Sequence, residues 1–263
     1  LMKTVTKILL ALSLATSLAH ADEWTKTYTI TGTPDLKIES TDAEIRVDTW
    51  DQKTIDAKVT TQNYKIGNGG IRILEHQTGD QVAIEVRFPH EIHIFSMHSY
   101  RVQIDIHMPR EGKLNVATGD GRVHLSGLKG EMELRSGDGG LDIDSVNGTL
   151  RARTGDGNIR ANGRFDVLDL NTSDGRIDVE AQRGSALGTG WNLRTGDGSV
   201  NLRIPQELAA DVDIHTGDGH IDLEVPVTVE GKFGSNTVRG KLNGGGSLLA
   251  IKTGGGSIRL EKL

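Results

Sequence analysis

Cysteine is absent from the 263 residues, which excludes a disulfide framework, a thiolate zinc or iron–sulfur centre and a thiol nucleophile. Aromatic residues are scarce, with three Trp, three Tyr and four Phe, so any core must be built from aliphatic side chains. Proline occurs five times. Past residue 21 no apolar run approaches the ~20 residues that a membrane-spanning helix needs. What the chain has in excess is glycine, 34 residues, about twice the usual share. Only 5 of them precede Gly112. The Gly-rich part keeps Val, Leu or Ile at short intervals, so glycine punctuates something regular and is not the mark of a linker.

Lys3 and Lys7 precede an apolar run from Ile8 to Leu18, followed by Ala19-His20-Ala21. A basic start, an apolar stretch and small residues at the two positions a signal peptidase reads are the order of an export signal over residues 1–21. Removing it takes Lys3 and Lys7 with it and moves the net charge from −6 to −8. An acidic exported chain is a poor partner for nucleic acid, whose binding depends on Lys/Arg clusters. The expected location is the periplasm, the cell surface or the medium, with no transmembrane segment once the signal is removed.

Self-similarity then decides the architecture. Thr118-Gly-Asp-Gly121 recurs as Ser136-Gly-Asp-Gly139, Thr154-Gly-Asp-Gly157 and Thr172-Ser-Asp-Gly175, each 18 residues after the last. It returns as Thr195-Gly-Asp-Gly198, Thr216-Gly-Asp-Gly219 and the degraded Thr253-Gly-Gly-Gly256, with Asn243-Gly-Gly-Gly246 as a further weak copy. Alternating apolar pairs flank the tetrapeptides, such as Leu114/Val116 before and Val123/Leu125 after. Period 2 means strands with one buried face. Each repeat therefore reads strand, turn, strand, turn.

An 18-residue unit with two short strands buries little alone, whereas stacking gives every strand a neighbour in register. The fold class predicted is all-β, a β-solenoid with about 18 residues and two short strands per coil. The motif glycines suit positive φ, and the Asp between them can accept hydrogen bonds from its own turn. Gly127, Gly130, Gly148 and Gly163 supply the second corner, with Leu128 and Val146 as inward plugs, and Arg183–Gly190 bulges from a corner. Residues 22–111 are poorer in glycine and alternate over Thr29–Glu39, Ala43–Asp48, Thr54–Thr61, Gly70–Leu74, Gln81–Arg87 and Tyr100–His107. Ser40-Thr-Asp-Ala43 resembles a worn copy of the unit. This part reads as a less regular β cap, continuous with the repeat region of residues 112–263.

The run Pro109-x-x-Gly112-x-Leu114-x-Val116-x-Thr118-Gly-Asp-Gly121, with its iterated successors, resembles the putative-adhesin family of bacterial exported β-strand-repeat domains of unknown function. The likeness covers Leu36 to Leu260 and is strongest from Gly112 to Leu223. It implies a β-solenoid and a surface-interaction role, and it transfers no catalytic residue.

The candidate chemistry is a turn ladder of Asp120, Asp138, Asp156, Asp174, Asp197 and Asp218. Stacked about 4.8 Å apart, bare carboxylates repel by roughly 0.8 kcal/mol per pair in water. Turn capping is the leading reading and a cation ladder the second, although calcium-binding rolls place their Asp differently and repeat every nine residues. His90-Glu91-Ile92-His93, with His98 and His107 nearby, lacks the helical spacing of a zinc motif, and the patch Ile92, Ile94, Phe95 and Met97 beside it could form a contact surface. No nucleophile elbow or dinucleotide fingerprint is present, so no cofactor and no catalytic residue is assigned. The function expected is a non-catalytic, adhesin-like surface for an envelope protein or polysaccharide. A polysaccharide-active enzyme and a cation-stabilised assembly protein are the alternatives.

Overall fold

A computed structural model describes residues 21–89, 101–229 and 236–263, and among these every regular element is a strand. The leading sheet holds the strands that run into the tetrapeptide turns, extended at its two ends by strands that do not. In spatial order these are β5 (Arg72–Thr78), β6 (Gln81–Arg87), β2 (Asp35–Ser40), β8 (Glu111–Thr118) and β10 (Lys129–Ser136). The second halves of β11 (Leu141–Thr154) and β12 (Ile159–Thr172) follow, then β14 (Trp191–Thr195), β20 (Leu248–Thr253), β16 (Ala210–Thr216), β19 (Thr237–Leu242) and β18 (Val227–Val229). The trailing sheet holds the strands that leave the turns, extended at its first end by strands that do not. Its order is β1 (Ala21–Thr29), β4 (Thr54–Gln62), β7 (Arg101–Pro109), β3 (Glu44–Trp50), β9 (Val123–Ser126) and the first halves of β11 and β12. It continues with β13 (Ile177–Ala181), β15 (Val200–Ile204), β21 (Ile258–Lys262) and β17 (Ile221–Leu223).

Coil stacks on coil through parallel pairing, and the predicted solenoid is what forms. Val123 pairs with Leu141, Leu141 with Ile159 and Ile159 with Ile177, one 18-residue step each time. Inward Leu, Ile and Val from both sheets make one aliphatic core. Two of its aromatic members, Phe165 and Trp191, meet edge to face with ring centroids 6.3 Å apart, beside the bulge at 183–190. Leu128 and Val146 are buried as the plugs of the second corner.

Coil order departs from sequence order at both ends. The coil of β2 and β3 lies between that of β6 and β7 and that of β8 and β9. The coil of β20 and β21, last in the chain, lies between that of β14 and β15 and that of β16 and β17. Antiparallel strands cover three of the four sheet ends: β5 on β6, β1 and β4 on β7, and β19 and β18 on β16. This blunts open edges that would otherwise template another chain. At the first end Lys26 pairs with Glu75, and the hydroxyl of the buried Tyr28 donates to Glu75 (3.2 Å). Burial first, then the Glu75 charge, pushes the Tyr28 hydroxyl up.

Two local expectations fail. Thr29–Glu39 is not one strand, because the chain turns at 30–34 around Gly32 and Pro34. Asn243–Gly246 is not a copy of the motif turn either. It sits at the opposite corner, where positive φ at Asn243, Gly244 and Gly245 carries the chain from one side of β16 to the other.

Candidate functional site

The tetrapeptides stack into one column, and its inner rail is hydroxyl, not carboxylate. Ser136, Thr172, Thr195, Thr216 and Thr253 are buried, and each Oγ accepts the backbone N–H of the glycine that closes its own turn, three residues on, at 3.0–3.2 Å. The same oxygen donates across to a turn carbonyl of the adjacent coil: Thr172 to Gly157, Thr195 to Gly175, Thr253 to Gly198 and Thr216 to Gly256, at 2.7–3.0 Å. The worn copy joins the column, since Ala43 N–H donates to Ser40 Oγ at 3.3 Å and Thr118 Oγ1 donates to the Ala43 carbonyl at 3.3 Å. Thr172→Val keeps the shape and leaves the Gly175 N–H and the Gly157 carbonyl without this partner. Urea unfolding is expected to show a loss of about 1–3 kcal/mol.

The glycines are also needed for a reason other than the one expected. None of the motif glycines has positive φ. A Cβ on Gly139, Gly157, Gly175 or Gly198 would instead stand 1.9–2.1 Å from the carbonyl oxygen of the matching glycine one coil away. Positive φ belongs to the second corner, at Gly127, Gly130 and Gly148. Gly163 there has ordinary φ, and Val146 O blocks a side chain at 2.3 Å.

The Asp ladder lies outside this rail. Asp120, Asp138, Asp156, Asp174, Asp197 and Asp218 are all exposed, and among the described residues no hydrogen bond ends on their carboxylates. The hydroxyl beneath caps the turn that the carboxylate was expected to cap. Asp42 adds a rung before Asp120, and Gly255 stands between Asp197 and Asp218, which are therefore not neighbours. Among the described residues no three Asp, Glu or His gather closely enough to hold a metal ion. His90, Glu91, His93 and His98, with the patch Ile92, Ile94, Phe95 and Met97, lie outside the described residues.

The outward face of the trailing sheet carries a periodic polar array over a groove. Pairing lines up one row across successive coils: Arg46, His124, Asp142, Arg160, Asp178, Asn201, Arg259 and Asp222. Opposite charges alternate along it. Arg160 meets Asp142 at 3.3 Å, Arg259 meets Asp222 at 3.3 Å, and Asn201 donates to Asp178 at 2.8 Å. In the next row Arg203 reaches Glu180 at 3.1 Å. His124, Asp142, Arg160, Asp178, Asn201 and Arg259 of this row, with Glu180 and Arg203 of the next, line a shallow groove of about 450 Å³. Fork-shaped guanidinium, amide and carboxylate groups at one rung per coil can hydrogen-bond a repetitive polar partner. The sequence showed the mixed outward charges, but not which coils would be neighbours, because Arg259 joins this row only through the inserted last coil.

The sequence matches the family described as Toastrack DUF4097 over residues 23–261. The chain belongs to that family. The Toastrack chain also resembles a putative cell adhesion protein from Clostridium sporogenes, at 14% identity and TM-score 0.46, over 93% of this chain and 100% of the other. A putative adhesin from Bacteroides fragilis is similar at 10% identity and TM-score 0.48, over 92% and 97%. One from Parabacteroides merdae is similar at 13% and TM-score 0.44, over 90% and 95%. No curated protein matches the Toastrack chain.

Proposed function

We propose that this is an exported, non-catalytic, adhesin-like solenoid whose trailing sheet binds a polysaccharide of the cell envelope. The observation that carries the reading is the row from His124 through Asp142, Arg160, Asp178 and Asn201 to Arg259, a periodic array of hydrogen-bonding forks in one groove. A polymer repeats its hydroxyls as the solenoid repeats its rungs. Asp142, Glu180 and Asp222 are committed to arginine. Glycoside cleavage instead needs one carboxyl held as an acid beside a second that is free to act. Export rests on the leader-like order of residues 1–21.

The test is retention on immobilised envelope polysaccharides. Arg160→Ala combined with Asp178→Ala is expected to weaken retention about tenfold or more. Both groups are solvent-facing, so the thermal midpoint should barely move. Undiminished retention by the double variant overturns the assignment to this sheet.

A further inference from the structure

Where three connections meet at the second corner, near the capped first end, a separate cavity of about 310 Å³ opens. Its walls are Pro34 and Pro109, and Trp50, Asp51, Gln52 and Arg110 face the space between them. The long groove on the trailing sheet has no Trp, Tyr or Phe in its lining. In a chain with three tryptophans, one is in the core and one lines this cavity.

The pocket is held in shape. The Trp50 indole N–H donates to the Thr54 carbonyl (2.9 Å), and His107 stacks on the ring with centroids 5.2 Å apart and planes 27° from parallel. Arg110 grips Asp51 through Nε (2.5 Å) and Nη2 (3.3 Å). Asp80 accepts the Thr31 and Gly32 backbone N–H groups at 2.7 and 2.9 Å, fixing the 30–34 connection. Ile30 N–H donates to Lys53 O (2.9 Å), tying that connection to the 51–53 turn. The volume lies at the small end of ligand pockets.

An indole ring beside amide, guanidinium and carboxylate groups suits a molecule with an apolar C–H face and a rim of hydroxyls. The lining charges cancel, with Asp51 and Glu111 against Lys53 and Arg110, and Asp51 is already matched by Arg110. We propose that this cavity is a binding site for one neutral pyranose ring, with Trp50 as its stacking platform and Gln52, Asp51 and Arg110 as its hydroxyl readers. The assignment rests on the glycan reading of the solenoid and adds a subsite that recognises a single ring, apart from the groove that follows the polymer.

The full chain is titrated with free glucose, galactose and N-acetylglucosamine, and with glucuronate as the charged counterpart. Saturation-transfer NMR and tryptophan fluorescence supply the readouts. At least one neutral sugar is expected to bind at millimolar concentration and to change tryptophan emission. Trp50→Ala should abolish both signals, Trp50→Phe should keep a weaker one, and Gln52→Ala, on an exposed turn, should weaken binding severalfold without unfolding. The proposal is overturned if none of the neutral sugars binds, if glucuronate binds in their place, if binding survives Trp50→Ala, or if Gln52→Ala leaves it undiminished. Arg160→Ala with Asp178→Ala should leave the free-sugar signal unchanged. Polymer retention without sugar binding overturns the pocket alone, while sugar binding with retention indifferent to the double variant overturns the groove alone.

Discussion

Gly139→Ala is expected to destabilise the fold by about 3 kcal/mol or more, whereas Gly140→Ala, one residue later, should be neutral or stabilising by up to about 1 kcal/mol. The chemical change is the same and the surroundings differ. At Gly139 the new Cβ would lie 2.0 Å from the Gly121 carbonyl oxygen, 2.5 Å from its carbon and 2.7 Å from Ser136 Oγ. Gly121 cannot retreat, since its own Cβ position is 1.8 Å from the Ala43 carbonyl oxygen. The column is in contact along its length, so relief at one rung is a clash at the next. At Gly140 the nearest atoms are Asn158 O at 3.5 Å and Arg122 Nε at 3.9 Å, an ordinary contact, and φ is not positive. Urea unfolding of the two variants measures the contrast. Equal midpoints would refute the carbonyl-stacking account of the motif, and positive φ, which neither residue has, could not explain the expected difference.

That contrast shows what a sequence can and cannot say about such a fold. The 18-residue step and the alternation of Leu114/Val116 and Val123/Leu125 are consequences of strand geometry and were legible at once. Why glycine recurs was not, because close approach between coils is a property of the stack and leaves no mark that separates it from a φ requirement. The same holds for Ser136 and its equivalents. Their conserved hydroxyl chemistry within the chain was visible as S/T, yet the Asp beside them is the more conspicuous residue and drew the capping role. Only burial separates the two: the hydroxyls face the core and the carboxylates face water. The sugar-sized cavity was illegible for a different reason. Trp50, Pro34 and Arg110 come from three connections far apart in sequence, and the period-2 pattern carries no information about where connections converge.

Truncation after Asn243 is expected to cost far more than the end coil of a sequential array would. In a simple solenoid the last coil in the chain touches one neighbour, and its loss leaves the rest intact. Here β20 pairs with both β14 and β16, and β21 with both β15 and β17. Removing them takes Leu249, Ile251, Ile258 and Leu260 out of the core. At about 1.5–3 kcal/mol for each fully buried side chain, the loss is about 6–12 kcal/mol, comparable with the whole stability of a typical domain, about 5–15 kcal/mol. It also leaves Trp191, Leu193, Val212 and Ile214 facing a gap one coil wide. The coil of β16 and β17 could close that gap only by docking directly on β14 and β15, and β17 offers three residues where β21 offers five. Hydrogen exchange should therefore show protection lost across 191–223, far upstream of the cut, while 111–163 stays protected. Protection lost only at the new end would mean that the coils can re-stack in sequence order, and that the insertion of the last coil is not what holds this end of the solenoid together.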